Sequence, residues 1–254
     1  MNQAGSDQRR FVGPRPWVWL AVAAVAGAIC LVGALVDPER LMAAWLFAFL
    51  YWWLAGAGCL GLSLLHHMTG GRWGYAARPF FEAGTWTLPL TALAFLPLAW
   101  GLDYVYAWTQ NDFFTGMPHA ENRRWYLTRS FFLSRSAGYF AASLLIGLPF
   151  TTRRLPTGRA PVSSEPVSSE PVSSETDARQ RRRRWSGVAT VLLVLVVSLA
   201  AMDWGMSLDP EWYSTLYGGL FIADGLLTAF CLSAAGVAWW CWKLQIRQPA
   251  NTAC

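Results

Sequence analysis

Two charged residues lie inside long apolar runs of this sequence. Arg135 lies within Phe131–Phe150, and Asp224 lies within Leu216–Trp242. A charge near the centre of a bilayer costs roughly 2.5–3.5 kcal/mol on the lenient insertion scale, and such residues are often functional. Both residues enter their runs from the same side and to a similar depth, so we expect them to form one buried ion pair. The pair would either lock two helices together or form a proton or quinone-headgroup site.

A second set of ionisable residues lies between two apolar runs. His66 and His67 follow the run Leu41–Leu65, and Glu82 precedes a run that begins near Ala83. Two imidazoles and a carboxylate at one membrane edge could take up protons, because histidine changes charge near neutral pH. The alternative is interface polarity with a contact at a helix C-terminus. Adjacent histidines point about 100° apart on a helix, so they are poor joint ligands for haem b.

The stretch Ala201–Gly219 is polar, acidic and aromatic, and it separates the last two apolar runs. Asp209 followed by Pro210 is typical of a helix start, with aspartate as the N-cap and proline in the first turn. Aromatic side chains of this kind suit the interface between a bilayer and water. The stretch is either a plain surface hairpin or a docking surface. The docking candidates are Asp203, Asp209, Glu211, Trp212 and Tyr213.

Familiar sequence patterns of catalytic and metal sites are missing. There is no Gly-rich phosphate loop, no HExxH and no GxSxG pattern, and the five cysteines include no CxxC pair. The net charge of +5 is expected from the basic loops of a membrane protein and not from nucleic-acid binding. We therefore predict no catalytic residue, no metal and no redox cofactor in this chain.

Composition indicates which elements must hold these residues. Of the 254 residues, 54% are hydrophobic and 14% are charged, and 16 residues are tryptophan. Ordinary soluble domains carry about 25% charged residues, so the chain is expected to be an integral membrane protein. We predict an all-α fold of six transmembrane helices, each able to cross about 30 Å of hydrocarbon, with kinks at Pro89 and Pro97. The predicted spans are Trp17–Val36, Leu41–Leu65, Ala83–Leu102, Phe131–Phe150, Trp185–Met202 and Leu216–Trp242.

The distribution of lysine and arginine predicts the orientation of these spans. Fifteen of them lie in the N-tail, the second and fourth loops and the C-tail, against four in the opposite loops. The positive-inside rule therefore puts both termini in the cytoplasm. The predicted parts are an N-tail at 1–16, four helices within 17–150, a disordered linker at 151–184 with three PVSSE repeats, two helices with an acidic outer hairpin within 185–242, and a C-tail at 243–254.

Five motifs occur in a linked order over residues 40–230. Their order and spacing closely resemble the second NrfD-like membrane subunit of alternative complex III, also called the quinone-binding subunit two of quinol:cytochrome c oxidoreductase. That complex is a bacterial quinol:electron-acceptor oxidoreductase. Five linked motifs are far more specific than any one of them. The motifs are LFAFLYWWLAGAGCLGLSLLHHMTGGRW (Leu46–Trp73), RPFFE (Arg78–Glu82), TLPL (Thr87–Leu90), YLTRSFFLSR (Tyr126–Arg135) and MDWGMSLDPEWYSTLYG (Met202–Gly218).

The resemblance implies partners, a location and an architecture. The expected partners are multihaem cytochrome c, iron–sulfur and other NrfD-like subunits, together with membrane lipid, in the bacterial inner membrane. The resemblance also implies a four-helix-bundle core, a role in proton translocation, no redox cofactor in this chain, and quinone or quinol only at the level of the complex. Family members usually continue with several more helices, so a chain ending at Cys254 is expected to be a shortened form. The residues that lie in the family's motifs are His66, His67, Glu82, Arg135, Asp203, Asp209, Trp212 and Tyr213.

The expected function is that of an integral membrane subunit of a quinol:electron-acceptor oxidoreductase complex, contributing to a quinol environment or a proton path. Two alternatives remain: a scaffold remnant that only binds partners, and a small transporter-like membrane protein with no redox role. A transporter should show a continuous polar pathway and inverted repeats. The proton-path or quinol-proximal candidates are His66, His67, Glu82, Arg135 and Asp224.

Overall fold

The structure is a computed structural model that describes residues 16–70, 73–110, 113–114, 124–151 and 172–247. These residues form helices and connecting turns, and they contain no strand. Two short 3₁₀ turns, at Ala107–Thr109 and Met206–Leu208, join longer elements. The helices are α1 (Pro16–Val36), α2 (Pro38–Thr69), α3 (Trp73–Thr85), α4 (Leu88–Ala94), α5 (Leu96–Trp100), α6 (Leu102–Val105), α7 (Arg129–Thr151), α8 (Val172–Trp204) and α9 (Tyr217–Arg247).

Five helices of the described chain are long and apolar enough to cross a membrane. The described elements therefore confirm the predicted fold class, an all-helical multi-pass membrane protein. The predicted third span, Ala83–Leu102, is not one helix, because it is divided among α3, α4, α5 and α6. The five spanning segments are Trp17–Val36, Pro38–Thr69, Arg129–Pro149, Arg183–Leu208 and Tyr217–Lys243.

Proline explains two of these divisions. Pro89 and Pro97 each lie in the first turn of a short helix, α4 and α5. Proline has no backbone N–H, and it is tolerated in a first turn because that N–H would lack an intrahelical partner anyway. Thr87 tightens the first break by donating both its N–H and its hydroxyl to the carbonyl of Gly84, at 3.1 and 2.7 Å. The helix therefore divides near both predicted prolines, although the N–H groups of Thr91, Phe95 and Ala99 still donate to the carbonyls four residues earlier across these points.

The divided segment still follows α2 along its length. Gly84 packs against Cys59, and Trp45 donates its indole N–H to the carbonyl of Ala94 at 2.8 Å. The partners follow each other in opposite chain order, so the segment runs antiparallel to α2. Its buried positions recur every three or four residues, as on one face of a single helix. They are Phe81, Thr85, Leu88, Thr91, Phe95, Leu98 and Leu102.

Helix α2 is the centre of the molecule, because the other helices of the core pack around it. An apolar helix without a polar face is expected in such a surrounded position. Around it lies a cluster of rings whose centre is Trp204, with Trp53 at 4.8 Å, Phe49 at 5.0 Å and Phe140 at 5.4 Å between ring centroids. The contacts of Trp53 and Phe49 are edge-to-face and that of Phe140 is stacked, and such ring pairs add stability beyond the buried area.

Small residues bring two of these helices together. A Cβ added to Gly58 of α2 would collide with the backbone carbonyl of Gly225 on α9. Small residues such as these permit the close helix contact that is favoured in membranes. Helix α1 is different: none of its spanning window is buried, and it packs mainly against α2.

The predicted linker at 151–184 is in part helical. Helix α8 begins at Val172 and continues through the arginine cluster into the membrane-spanning segment. Arginine and glutamine are good helix formers, and extending an existing helix avoids the cost of nucleation. The disorder predicted for 172–184 is therefore wrong, whereas residues 1–15, 152–171 and 248–254 lie outside the described residues.

Candidate functional site at a buried carboxylate

Asp203 has the one fully buried carboxylate among the residues described, at 0% exposure. Arg135 donates to both of its oxygens, from Nε to Oδ2 at 2.7 Å and from Nη2 to Oδ1 at 3.0 Å. Tyr126 donates its hydroxyl to Oδ1 at 2.9 Å, and Tyr139 donates to Oδ2 at 2.6 Å. These four hydrogen bonds offset the cost of removing the carboxylate from water. We call these four residues the Asp203 network.

The expected ion pair between Arg135 and Asp224 is wrong. Arg135 pairs with Asp203, and Asp224 is exposed on α9. The sequence gives the depth of a charge along a helix but not which neighbouring helix its side chain meets. Asp203 follows the last residue of the predicted fifth span, so it was assigned to the surface hairpin. Its complete burial also excludes the docking role that was predicted for it.

Two neighbouring elements hold the arginine in place. Tyr139 lies four residues after Arg135 on α7, so both side chains lie on the same face of that helix. Tyr126, in the short segment before α7, accepts from Nη1 of Arg135 through its carbonyl at 2.8 Å. The guanidinium carbon also lies 3.9 Å from the ring centroid of Tyr126 and 4.4 Å from that of Phe131, in cation–π geometry.

The end of α8 is fixed by further hydrogen bonds around Trp204. Tyr106 donates its hydroxyl to the Trp204 carbonyl at 3.0 Å, and the Trp204 indole donates to the Ser136 hydroxyl at 2.9 Å. Ser207 donates its hydroxyl to the carbonyl of Asp203. Carbonyls in the last turn of a helix have no intrahelical partner, so these contacts satisfy groups that would otherwise be orphaned. Hydrogen bonds to both the side chain and the backbone carbonyl of Asp203 therefore fix its position.

Two tyrosines beside the site, outside the spanning segments, have raised pKa values. Burial, followed by the negative charge of Asp203, raises the pKa of Tyr126 to about 12. The same two causes raise the pKa of Tyr106 well above its ordinary value. Both hydroxyls therefore keep their protons at physiological pH and act as hydrogen-bond donors.

The Asp203 network could act in two ways. It joins α7 to α8 through the bidentate ion pair of Arg135 and Asp203, which would hold these helices in register. It also places a buried carboxylate between two phenol hydroxyls, of which Tyr126 is partly exposed and Tyr139 is buried. Hydroxyl, carboxylate and hydroxyl thus form a hydrogen-bonded row that begins at the molecular surface.

The histidine and glutamate candidates lie at the opposite end of α2. The rings of His66 and His67 are 6.3 Å apart between centroids, and Nδ1 of His67 lies 2.6 Å from the Ser63 carbonyl oxygen. Glu82 forms its ion pair with Arg78, at 2.7 Å from Oε1 to Nε, and both side chains are partly exposed. His66 packs against Gly74 near the start of α3, the helix that carries Arg78 and Glu82. We call His66, His67, Arg78 and Glu82 the histidine edge.

The acidic hairpin does not begin a helix at Asp209. The backbone N–H of Glu211 donates to Oδ1 of Asp209 at 3.2 Å, which closes a local turn, and α9 begins only at Tyr217. An aspartate can serve a turn as well as a helix N-cap, so the sequence pattern did not separate the two. Trp212 contacts the ring of Tyr217 at 5.5 Å between centroids. The exposed docking candidates are Asp209, Glu211, Trp212 and Tyr213.

Several residues of the site escaped the sequence reasoning. The sequence analysis named none of Tyr106, Tyr126 and Tyr139 as a site residue, although the spacing of Tyr139 from Arg135 was a usable signal for a shared helix face. Among the described residues, no three His, Cys, Asp or Glu side chains are placed to hold a metal ion. Compared with known proteins, the chain matches no family model and no curated protein.

Proposed function

We propose that the chain is an integral membrane subunit of a quinol:electron-acceptor oxidoreductase complex of the alternative complex III type, in a bacterial inner membrane. The subunit holds no redox cofactor of its own. It forms part of a proton path or of the environment of a quinol bound elsewhere in the complex. Its partners are the multihaem cytochrome c, iron–sulfur and NrfD-like subunits.

The observation that supports this proposal is the meeting of motifs that are far apart in the sequence. The motif Tyr126–Arg135 provides two members of the Asp203 network, and the motif Met202–Gly218 provides its carboxylate. A Cβ added to Gly56, in the motif Leu46–Trp73, would lie 3.0 Å from both Leu88 and Thr87 of the motif Thr87–Leu90. Residues used for a common site would be expected to converge in this way.

The proposal includes six membrane crossings with both termini in the cytoplasm. The segment from α3 to α6 is the additional crossing, because it runs antiparallel to α2 and presents one continuous buried face to the core. Together with α2, α7 and α8 it makes a four-helix core of the NrfD-like kind. The contacts of α2 with the other three elements support this arrangement.

The two polar clusters suit the two faces of such a membrane subunit. Phe49, which contacts Trp204 beside the Asp203 network, and His66 are 17 residues apart on α2, or about 25 Å of helix rise. The histidine edge would take up protons from the cytoplasm, and the Asp203 network would lie near the opposite face. Buried hydroxyls are also present on two helices of the core, at Thr85 of α3 and Ser143 of α7.

Purification of a tagged chain from its native membrane tests the proposal. We expect c-type haem to co-purify, with an absorbance spectrum in the visible region and quinol oxidation by the complex. The double change His66→Ala and His67→Ala, and the change Glu82→Gln, should lower proton-coupled quinol oxidation by about a hundredfold, the lower end of the effect of losing a proton-transfer group. The matched control is Glu39→Gln, which alters an exposed carboxylate at the other end of α2.

Two results would count against this assignment. A colourless protein that purifies without partners contradicts membership of the complex. Unchanged proton-coupled activity in the histidine and glutamate variants favours the second candidate, a scaffold that only binds partners. The scaffold is favoured by the Asp203 network itself, in which both tyrosine hydroxyls and each guanidinium nitrogen already have an acceptor within the chain.

A further inference from the structure

Asp224 is an exposed carboxylate inside a membrane-spanning segment. It lies seven residues after Tyr217, the first residue of the segment Tyr217–Lys243. Tyr217 and Trp239 are 22 residues apart, or about 33 Å of helix rise, which matches the hydrocarbon thickness between two aromatic belts. Asp224 therefore lies about 10 Å inside the hydrocarbon. Its short side chain cannot extend to the headgroups as that of lysine or arginine can.

No lysine or arginine in the described parts of the chain forms an ion pair with this carboxylate. Lys243, the cation on the same helix, lies over the ring of Trp239 and is 19 residues away, or about 28 Å along α9. A connecting loop could reach Asp224 only by entering the hydrocarbon beside lipid, where irregular backbone does not occur. Four arginines of the fold each pair with another carboxylate, and they are Arg40, Arg78, Arg129 and Arg135.

A second polar group lies one turn further along α9. Thr228 follows Asp224 by four residues, so the two side chains share one side of the helix. Threonine in a helix often donates to the carbonyl four residues earlier, as Thr69 and Thr85 do. The half-buried Thr228 makes no hydrogen bond with any residue that the structure describes. A carboxylate and a hydroxyl therefore both lack partners at a depth where lipid offers none.

Contacts within the chain use the other side of α9. A Cβ added to Gly218, Gly225 or Gly236 would lie within 3.0 Å of α8, α2 or α3, respectively. The outward side continues from Asp224 and Thr228 into small residues at helical spacing, and small residues let a second helix approach closely in a membrane. These small residues are Cys231, Ala235 and Ala238, and all three are exposed. We call the stripe formed by Asp224, Thr228, Cys231, Ala235 and Ala238 the Asp224 face.

Charge determines which kind of helix fits the Asp224 face. A second copy of this chain, packed symmetrically on the same face, would bring two Asp224 carboxylates together, and like charges at an interface repel. A lysine or arginine instead compensates the carboxylate and can also donate to the Thr228 hydroxyl. We propose that the Asp224 face binds a transmembrane helix of a different membrane protein, which presents a lysine or arginine at the depth of Asp224. This interface does not depend on the function proposed above.

Photo-crosslinking of the full-length chain in its native membrane tests this assignment. A benzophenone amino acid is placed at Leu220 or Leu227, two exposed residues on either side of Asp224. We expect a covalent product with another membrane protein, in which mass spectrometry finds the attached peptide in an apolar segment containing a lysine or arginine. Asp224→Asn should lower the yield about tenfold, because an interhelical charged contact is lost. Asp224→Glu keeps the charge and should retain most of the yield.

A charge exchange provides the second measurement. Asp224→Lys should abolish the product, and changing the basic residue of the captured helix to aspartate should restore it. The matched control is Glu39→Gln, an exposed carboxylate in the first turn of α2, which should leave the yield unchanged. An unchanged unfolding temperature of the isolated Asp224→Asn chain separates loss of the partner from loss of the fold. A product made only of two copies of this chain, attachment to lipid alone, or an undiminished yield with Asp224→Asn would overturn the proposal.

Discussion

At the scale of single residues, Asp203 and Arg135 form the contact on which most neighbouring contacts depend. The side chains are 0% and 13% exposed, so neither charge is well compensated by water. A buried pair contributes little net stability compared with an apolar pair, but removing one partner leaves an uncompensated charge. Loss of the Asp203 carboxylate would also remove the acceptor of Tyr126 and Tyr139. The residue-scale prediction therefore concerns the cost of breaking this pair.

Replacing Asp203 by Asn should lower the free energy of unfolding by about 3–5 kcal/mol, because the guanidinium of Arg135 remains buried without a counter-charge. The measurement is the unfolding temperature of the purified protein in detergent. Combining Asp203→Asn with Arg135→Gln should recover part of the loss. The control Asp224→Asn changes an exposed carboxylate and should stay within about 0.5 kcal/mol of the wild type. Equal effects of the two aspartate changes would contradict the structure.

At the scale of elements, the contact between α2 and α9 depends on the absence of side chains. The Gly58 Cα faces the Gly225 carbonyl so closely that no Cβ fits without movement of a helix. Van der Waals packing, and not the hydrophobic effect, favours association of helices in lipid. Separating the two backbones by the width of a methyl group should therefore weaken many packing contacts at once.

The change Gly58→Ala should destabilise the protein by about 1–3 kcal/mol, as overpacking does in a filled core. Thermal unfolding in detergent is the measurement. Gly27→Ala on α1 is the matched control, because an added Cβ there meets nothing within 4 Å. Alanine is also the better helix former, so the control should be neutral or slightly stabilising. Greater loss in the Gly27 variant than in the Gly58 variant would refute the packing argument.

At the scale of the whole molecule, the arrangement of spans requires the linker and the acidic hairpin to lie on opposite sides of the membrane. Only α8 separates Arg183 from Leu208, and it is long enough for a single crossing. Reporter tags inserted in the PVSSE repeats and beside Pro210 should thus respond from the cytoplasm and from the outer face, respectively. Labelling by a membrane-impermeant reagent is the measurement. Identical labelling at both positions would contradict the proposed orientation.

The sequence predicts the long helices of this molecule better than the helix breaks or the contacts between side chains. Long uncharged runs predict helices because backbone groups in lipid must be paired internally, and the described residues contain five such helices. Breaks at Thr87 and Phe95 were only partly predictable, since proline marks a weak point and the surrounding packing decides how far the helix bends. The partner of Arg135 was not predictable from depth alone. It depends on how α7 and α8 are rotated, which many distant contacts determine together.

The ion pair also has a consequence for synthesis of the chain. Arg135 and Asp203 are 68 residues apart, so the arginine leaves the ribosome well before its counter-charge. At 5–20 residues per second the delay is roughly 3–14 s. During that time α7 carries a solitary cation that hydrocarbon disfavours. The nascent protein would need water, headgroups or an insertion factor beside α7 until the following aspartate arrives.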